Sequence, residues 1–301
     1  MSVLSFLAQT LRIAIPYLLA AAGGVLSERA GLIGLTLEGY MLGGAFCAAA
    51  GSYVAGASGY GAAAPWFGVL AAVLGGAALS MLYATSAIRF KADQIVTGIA
   101  INLLAIGLTR FFLKLFFGSS SNSPRVPGFD AKGSGSGFLA LAHNPLVWTG
   151  VLVTPLAAWV LYRTPFGLRV RAVGEHPGAA ASVGVPVARV RYLAVALSGM
   201  IAGLGGAYLS LDQHQFTDGM TAGRGFIALA AIIFGRWNPL LAGLACLLFA
   251  AAETLQIQLQ GTQAIPSQFI EMIPYLLTIV ALAGLVGRAV PPAALGKTTT
   301  E

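Results

Sequence analysis

Acidic side chains are nearly missing from this chain. Ten Asp and Glu stand among 301 residues, and all charged types together reach 9%. A water-soluble domain of that size needs far more polar surface, so this class is excluded. Cysteine is scarce too. Cys47 and Cys246 both lie in apolar runs, which fits small core-facing side chains and argues against a disulfide or a metal site. The three histidines, His143, His176 and His214, all fall between apolar runs. No His therefore stands inside such a run beside a serine, as a buried hydrolytic pair would need. The Gly56-Ala57-Ser58-Gly59 string has no such partner and carries no protease reading. No stretch fits the GxxxxGK[ST] phosphate-binding loop. The first residues lack a basic n-region and a clear cleavage site, so the first apolar run reads as a retained helix.

What is present is apolar. The set AVILMFWYC makes up 57% of the chain, and the mean hydropathy is +0.82. Runs of roughly 20 apolar residues recur, each long enough to cross a ~30 Å hydrocarbon core at 1.5 Å per residue. The reading is an all-α, polytopic helical membrane protein in a single transmembrane domain over 1–301. A transmembrane β-barrel would show short alternating segments instead. The 39 glycines fit close approach of membrane helices. Net charge +7 and a pI of about 9.7 would suit nucleic acid, but Lys and Arg are sparse and sit at the ends of apolar runs. That is a topology signal, and nucleic acid is excluded as a partner.

About nine membrane segments are expected, near 5–26, 33–50, 65–88, 94–116, 145–162, 192–211, 220–235, 239–258 and 269–287. The loop 163–191 carries five arginines. If it is cytoplasmic, Arg29, Arg89, Lys91, Arg236, Arg288 and Lys297 join its side, and only Lys114, Arg125, Lys132 and Arg224 fall outside. The N-terminus is then outside, the tail 289–301 is cytoplasmic, and the Ser/Gly/Pro-rich loop 118–143 is extracytoplasmic. The segment 220–235 is short and bracketed by Gly223, Gly225 and Gly235. It fits a broken helix facing a polar cavity, or a tilted, tightly packed one. The run beginning at Gly31 is glycine-broken in the same way, a hint of two related halves.

Several polar residues lie where they are costly. Glu38 sits in the second apolar run, where a carboxylate must be paired, protonated or facing water. It lines a solute pathway or a joint beside it, or else it is solvated near the membrane surface or paired with Arg29 or Arg12. Gln94, Gly98, Asn102, Ala105 and Thr109 recur on one helical face made of polar or small residues. Asn102 either bonds another helix or lines a path for a neutral polar solute. Gly199, Gly203 and Ala207 form a packing ridge. Glu253 resembles Glu38 in cost but lies nearer the end of its run. Phe226 and Trp237 are rings that can stack on a cyclic solute or simply pack among apolar neighbours.

The strings SERAGLIGLTLEGYMLGGAF at 27–46, DQIVTGIAINLLAIGLTRF at 93–111, TPFGLRVRAVGEHPGAAASVGV at 164–185, RYLAVALSGMIAGLGGAYLSL at 191–211 and GMTAGRGFIALAAIIFGRWNP at 219–239 converge. In order and over nearly the whole chain, they resemble the permease subunit of bacterial ABC importers of the branched-chain amino acid and simple-sugar superfamily. Within it they resemble most the shorter permease of nucleoside-type importers. The resemblance implies location in the bacterial inner membrane. It implies a second, homologous permease, a cytoplasmic ATPase subunit that binds ATP and Mg, and an extracytoplasmic solute-binding protein. This chain would bind no cofactor itself. The loop 163–191 would be the segment that docks on the ATPase, with Gly174, Glu175, His176, Pro177, Ala180, Ala181 and Gly184 at its core. A Pro start and a Gly stop suit a short docking helix there, and the arginines suit acidic partner residues or membrane lipid headgroups. The solute pathway would include Glu38, Gln94, Asn102 and Phe226. The sequence departs from the family pattern at Gly34-Leu35-Thr36-Leu37-Glu38-Gly39, where Asn-Ile-Gly-Leu-Glu-Gly is usual, and at His176, where Asn is usual. Nucleosides lead the solute classes left open, before simple sugars and branched-chain amino acids. A secondary transporter using Glu38 and Glu253 for protons, and a membrane scaffold, are the competing classes.

Overall fold

The computed structural model describes residues 3–129, 143–260 and 289–297. Ten α-helices follow one another: α1 (Val3–Arg29), α2 (Leu37–Ala57), α3 (Ala64–Ala84), α4 (Gln94–Phe117), α5 (Pro145–Arg163), α6 (Pro165–Glu175), α7 (Pro177–Ser182), α8 (Val187–Asp212), α9 (Arg224–Phe234) and α10 (Pro239–Leu259). A 3₁₀ turn, Gly34–Thr36, leads into α2, and a π-helical turn, Thr85–Arg89, ends α3. Among the described residues there is no named strand, only one isolated bridge between Asn122 and Thr217.

Local chemistry sets the helix starts. Asn144, Thr164 and Asn238 each stand before a proline and accept a hydrogen bond from a backbone N–H of the first helical turn of α5, α6 and α10. The cap satisfies an orphan donor, and proline at the first position has none to lose. Asp93 caps α4, accepting from Ile95 and Val96 at 2.9 Å each.

Among the described residues, six helices are long and apolar enough to cross a membrane: α1, α3 with its flanking turns, α4, α5, α8 and α10. The protein is thus a polytopic helical membrane protein. Helix α2 also has 21 residues, of which 14 are buried. It lies at the centre between α3 and α8, and its glycines and alanines let neighbouring backbones close in. A Cβ on Gly203 of α8 would stand 2.6 Å from the Ala72 carbonyl of α3. The Gly199–Gly203–Ala207 ridge is therefore a packing surface. Helices α5 and α10 pack on α1, α4 packs on α2, and α9 fits among α1, α2 and α10.

Two expectations, for 33–50 and 163–191, are corrected, and the short segment 220–235 is sharpened. The second run does not begin at 33: residues 30–36 form a turn held by side chains, and the helix extends from Leu37 to Ala57. The segment 220–235 is an eleven-residue helix, α9, about 16 Å long and half a bilayer in span. The stretch 163–191 is helical for most of its length rather than an open loop, and Arg191 is buried, with Nε donating to the Ala30 carbonyl. The expected segment 269–287 lies outside the described residues, as does 130–142 of the loop 118–143.

The part of that loop before residue 130 is pinned. Ser123 N–H donates to the Phe216 carbonyl, Val126 N–H to His214 and Asp218 N–H to Ser121, each at 2.8 Å. The reason is α9. It covers only half a crossing, so the irregular backbone before it must find partners elsewhere.

Candidate functional site

Glu38 is the second residue of α2 and is 8% exposed. One carboxylate oxygen accepts from the Thr221 hydroxyl at 2.6 Å and the Gly223 N–H at 2.9 Å. The other accepts from the Gly225 N–H at 2.7 Å. Glu38 therefore caps the N-terminus of α9, where unpaired N–H groups and the helix dipole favour an anion. Neither Arg29 nor Arg12 is its partner. A Cβ at Gly225 would run into the backbone of Leu37 and Glu38, so only glycine lets α9 approach this closely. The two glycine-broken segments thus meet at one carboxylate.

The far end of α9 is held by an acid that sequence reasoning passed over. Glu28 is 2% exposed; it accepts from the Gly34 N–H at 3.0 Å and from the Trp237 indole. Arg29 Nε donates to the Trp237 carbonyl at 2.8 Å. Trp237, 5% exposed, is therefore a structural anchor and not a stacking surface. Glu28 stands next to Arg29 at the end of an apolar run. The signal that was available was the indole of Trp237, a donor that needs an acceptor when buried.

The polar stripe on α4 faces inward. Gln94 accepts from the Ile33 N–H at 2.9 Å. Asn102 accepts from the Gly39 N–H at 2.9 Å and donates to the Leu35 carbonyl at 2.8 Å. Both amides thus hold the 31–39 turn against α4. Glu38, Gln94 and Asn102 are brought together around this turn, each with its polar atoms bonded to protein. Phe226, on α9, is 46% exposed and lies on a different face from the buried Gly225, Ala228 and Ile232.

Beside the start of α9, Arg224 Nη2 lies 3.4 Å from a Glu253 oxygen, and the Tyr17 hydroxyl donates to the other Glu253 oxygen. Arg224, one of the four cations that fell on the other side of the topology count, is thus paired with Glu253, the other acid of the membrane runs. A lateral cavity of about 740 Å³ lies between α2, α3 and the end of α4, lined by Phe46, Cys47, Tyr53, Phe67, Phe116 and Phe117 among others. None of Glu38, Gln94, Asn102 or Phe226 lines it.

At the end of the bundle that holds Arg29, α6 and α7 project. Gly174 is buried under the Arg29 carbonyl, where a Cβ would clash. Glu175, His176, Ala181 and Gly184 are exposed, whereas Ala180 is buried. Pro177 occupies the first turn of α7. Gly184, φ +82°, ends it, with its N–H donating to Ala181 and the Val185 N–H donating to Ala180. This left-handed stop needs glycine. Arg163, Arg169 and Arg189 are exposed around it. The small-residue ridge thus lies in a stretch of chain that carries exposed arginines on either side of it. Among the described residues no group of three or more His, Cys, Asp or Glu could hold a metal ion.

A helical bundle built around a broken membrane helix, with a rigid ridge projecting at one end, defines a membrane transport subunit. The comparisons name its kind. The family described as branched-chain amino acid transport system / permease component matches residues 6–282, and the chain belongs to it. It is 42% identical to the guanosine ABC transporter permease protein NupQ of Bacillus subtilis (strain 168), over 95% of this chain and 93% of that one. It is 38% identical to the nucleoside ABC transporter permease protein NupC of Lactococcus lactis subsp. cremoris, over 93% and 92%. It is 34% identical to the putative glucose ABC transporter permease protein TsgC13 of Haloferax volcanii, over 95% and 94%. The chain is a multi-pass permease subunit of the inner membrane.

Proposed function

We propose that this chain is half of the membrane pathway of an ABC importer for nucleosides. The observation that carries the reading is the similarity, spanning almost the full length of both chains, to guanosine and nucleoside permeases. In this reading a second, homologous permease supplies the other half, and an extracytoplasmic binding protein delivers the solute. ATP and Mg bind a cytoplasmic ATPase subunit, and this chain holds no cofactor. The end carrying α6 and α7 faces the cytoplasm with the tail 289–301, and the loop 118–143 faces outward.

The ridge at Gly174, Glu175, His176, Pro177, Ala180, Ala181 and Gly184 docks on the ATPase. Arginines around it meet acidic partner residues or lipid headgroups. Closure of the ATPase moves the ridge and biases the bundle between two packings, one open to each side. On the pathway side, Phe226 is the exposed ring, suited to a base or sugar face. Glu38, Gln94 and Asn102 act by holding the wall that carries it. A nucleoside is neutral and ring-bearing, which suits a path that presents an aromatic face and no free charge.

The sugar reading has one observation in its favour, the similarity to a putative glucose permease. One experiment separates the two. The complete complex is reconstituted in proteoliposomes, and ATP turnover is measured with guanosine, ribose, glucose or leucine. Guanosine is expected to raise turnover and the others not. Stimulation by glucose alone would replace the nucleoside reading. Solute uptake without ATP, driven by a proton gradient, would overturn the importer reading altogether.

A further inference from the structure

The last described stretch of the chain forms a strap that the proposed function leaves unused. After Pro291 and Pro292, residues 293–296 lie between the end of α6 and the turn that follows α1. The Ala294 N–H donates to the Gly174 carbonyl at 2.9 Å, and the Ala293 N–H to Glu175 Oε2 at 3.2 Å. The Gly296 N–H donates to the Gly31 carbonyl at 3.3 Å. Three of four consecutive backbone donors thus reach two separate parts of the protein. Ala294 is 4% exposed, and the Ala294 carbonyl stands 3.2 Å from where a Cβ on Gly31 would lie. Gly31 has φ +91°, so the turn it makes requires glycine.

Besides the strap, the end of α6 meets the α1 terminus through the close packing of Gly174 under the Arg29 carbonyl, which carries no hydrogen bond, and through one side-chain pair. Glu175 and Arg29 are 3.9 Å apart, and half of the Glu175 side chain is exposed. Such a pair is weak and easily rearranged. The backbone hydrogen bond from the buried Ala294 is directional and stiff by comparison.

What lies beyond Gly31 gives the strap its consequence. Ile33 is bonded through its N–H to Gln94 and through its carbonyl to the Tyr83 hydroxyl, and Gly34 N–H is bonded to Glu28. Four residues later stands Glu38, which caps α9. The turn 31–36 is therefore joined at one side to the ridge and at the other to the broken helix.

We propose that residues 293–296 are a positioning element of the ATPase-coupling seat. They fasten the end of α6 to Gly31, so that a displacement of α6 and α7 is carried into the 31–36 turn and the start of α2. The proposal rests on the reading of 174–184 as the coupling segment. It assigns the strap no contact with solute or nucleotide.

The test uses the complete complex in proteoliposomes and reads solute moved per ATP hydrolysed, with membrane insertion and co-purification of the ATPase followed in parallel. Ala294→Pro removes the donor to Gly174; Ala294→Gly keeps it. Truncation after Pro292 removes the strap; truncation after Lys297 leaves it. Ala294→Pro and the longer truncation are expected to lower solute per ATP about tenfold, the scale of one buried hydrogen bond lost. Ala294→Gly and the shorter truncation should stay within about twofold of wild type. An inserted Ala294→Pro chain that loses the ATPase while Ala294→Gly retains it also supports the strap. A wild-type ratio in Ala294→Pro and in the longer truncation overturns it. So does an equal loss in Ala294→Gly or in the shorter truncation. A wild-type complex whose ATP turnover ignores every solute is a separate result, and it removes the seat together with the strap.

Discussion

The two ends of the bundle hold their charges in opposite ways. At the end away from α6 and α7, Arg12 meets Asp212 at 2.7 Å and Arg110 meets Asp218 at 2.8 Å, yet both arginines are more than half exposed. At the end that carries α6 and α7, Glu28 and Arg191 are almost wholly buried, and their partners are an indole and backbone groups of distant segments. Short distance is a poor guide to worth here. An exposed pair contributes about 0.2–1 kcal/mol and weakens with salt. A buried group stripped of its partner leaves donors unsatisfied at about 1–3 kcal/mol each. Both sets bridge distant elements, but the exposed pairs are worth little and the buried contacts are costly to break.

The comparison breaks most readily at Glu38, which belongs to the buried set by its three accepted bonds. Interhelical hydrogen bonds in membranes average about 0.6 kcal/mol, but this acceptor serves three donors at once. Glu38→Ala is expected to cost on the order of 3 kcal/mol, read as a fall in thermal midpoint in detergent. It should also abolish transport, because α9 loses its cap. Glu38→Gln keeps one acceptor oxygen and should fall between wild type and Glu38→Ala.

Glu28→Ala comes next, with a loss of about 2 kcal/mol from two orphaned donors. Trp237→Phe removes only the indole donor and should cost about half as much by the same melting assay. Asn102→Ala should cost about 1–2 kcal/mol, since Gly39 N–H and the Leu35 carbonyl lose their partners together. At the bottom of the scale, Arg12→Gln and Asp212→Asn, singly or together, are each expected to change stability by less than about 1 kcal/mol. Raising salt should shrink the difference further. If the Arg12 variant melted as early as the Glu28 variant, the contrast between the two ends would fail.

What the sequence made legible follows from periodicity and cost. The stripe Gln94–Gly98–Asn102 could be read because a helix puts those spacings on one face, and that face is buried. Glu38 stood out because a carboxylate in an apolar run has to have a partner. Which partner was beyond reach: Thr221, Gly223 and Gly225 lie more than 180 residues away, and two of the three contacts are made by backbone N–H groups that have no signature of their own. The ridge at 177–184 was legible from its Pro start and Gly stop. Helix α6 before it was not, because five arginines in 163–191 suggested open surface and Arg191 turned inward. The strap was hidden for a further reason. Pro-Pro-Ala-Ala-Leu-Gly reads as a loop, and its contacts are again made by backbone atoms.

The central claim is that this chain moves nucleosides when a separate ATPase acts on its ridge. The direct measurement is uptake of labelled guanosine into proteoliposomes holding the complete complex, with ATP either enclosed on the ridge side or omitted. The account predicts uptake only with ATP, and loss of that uptake when the ATPase subunit is left out. Guanosine uptake by this chain and its partner permease alone, driven by a proton gradient, would contradict it.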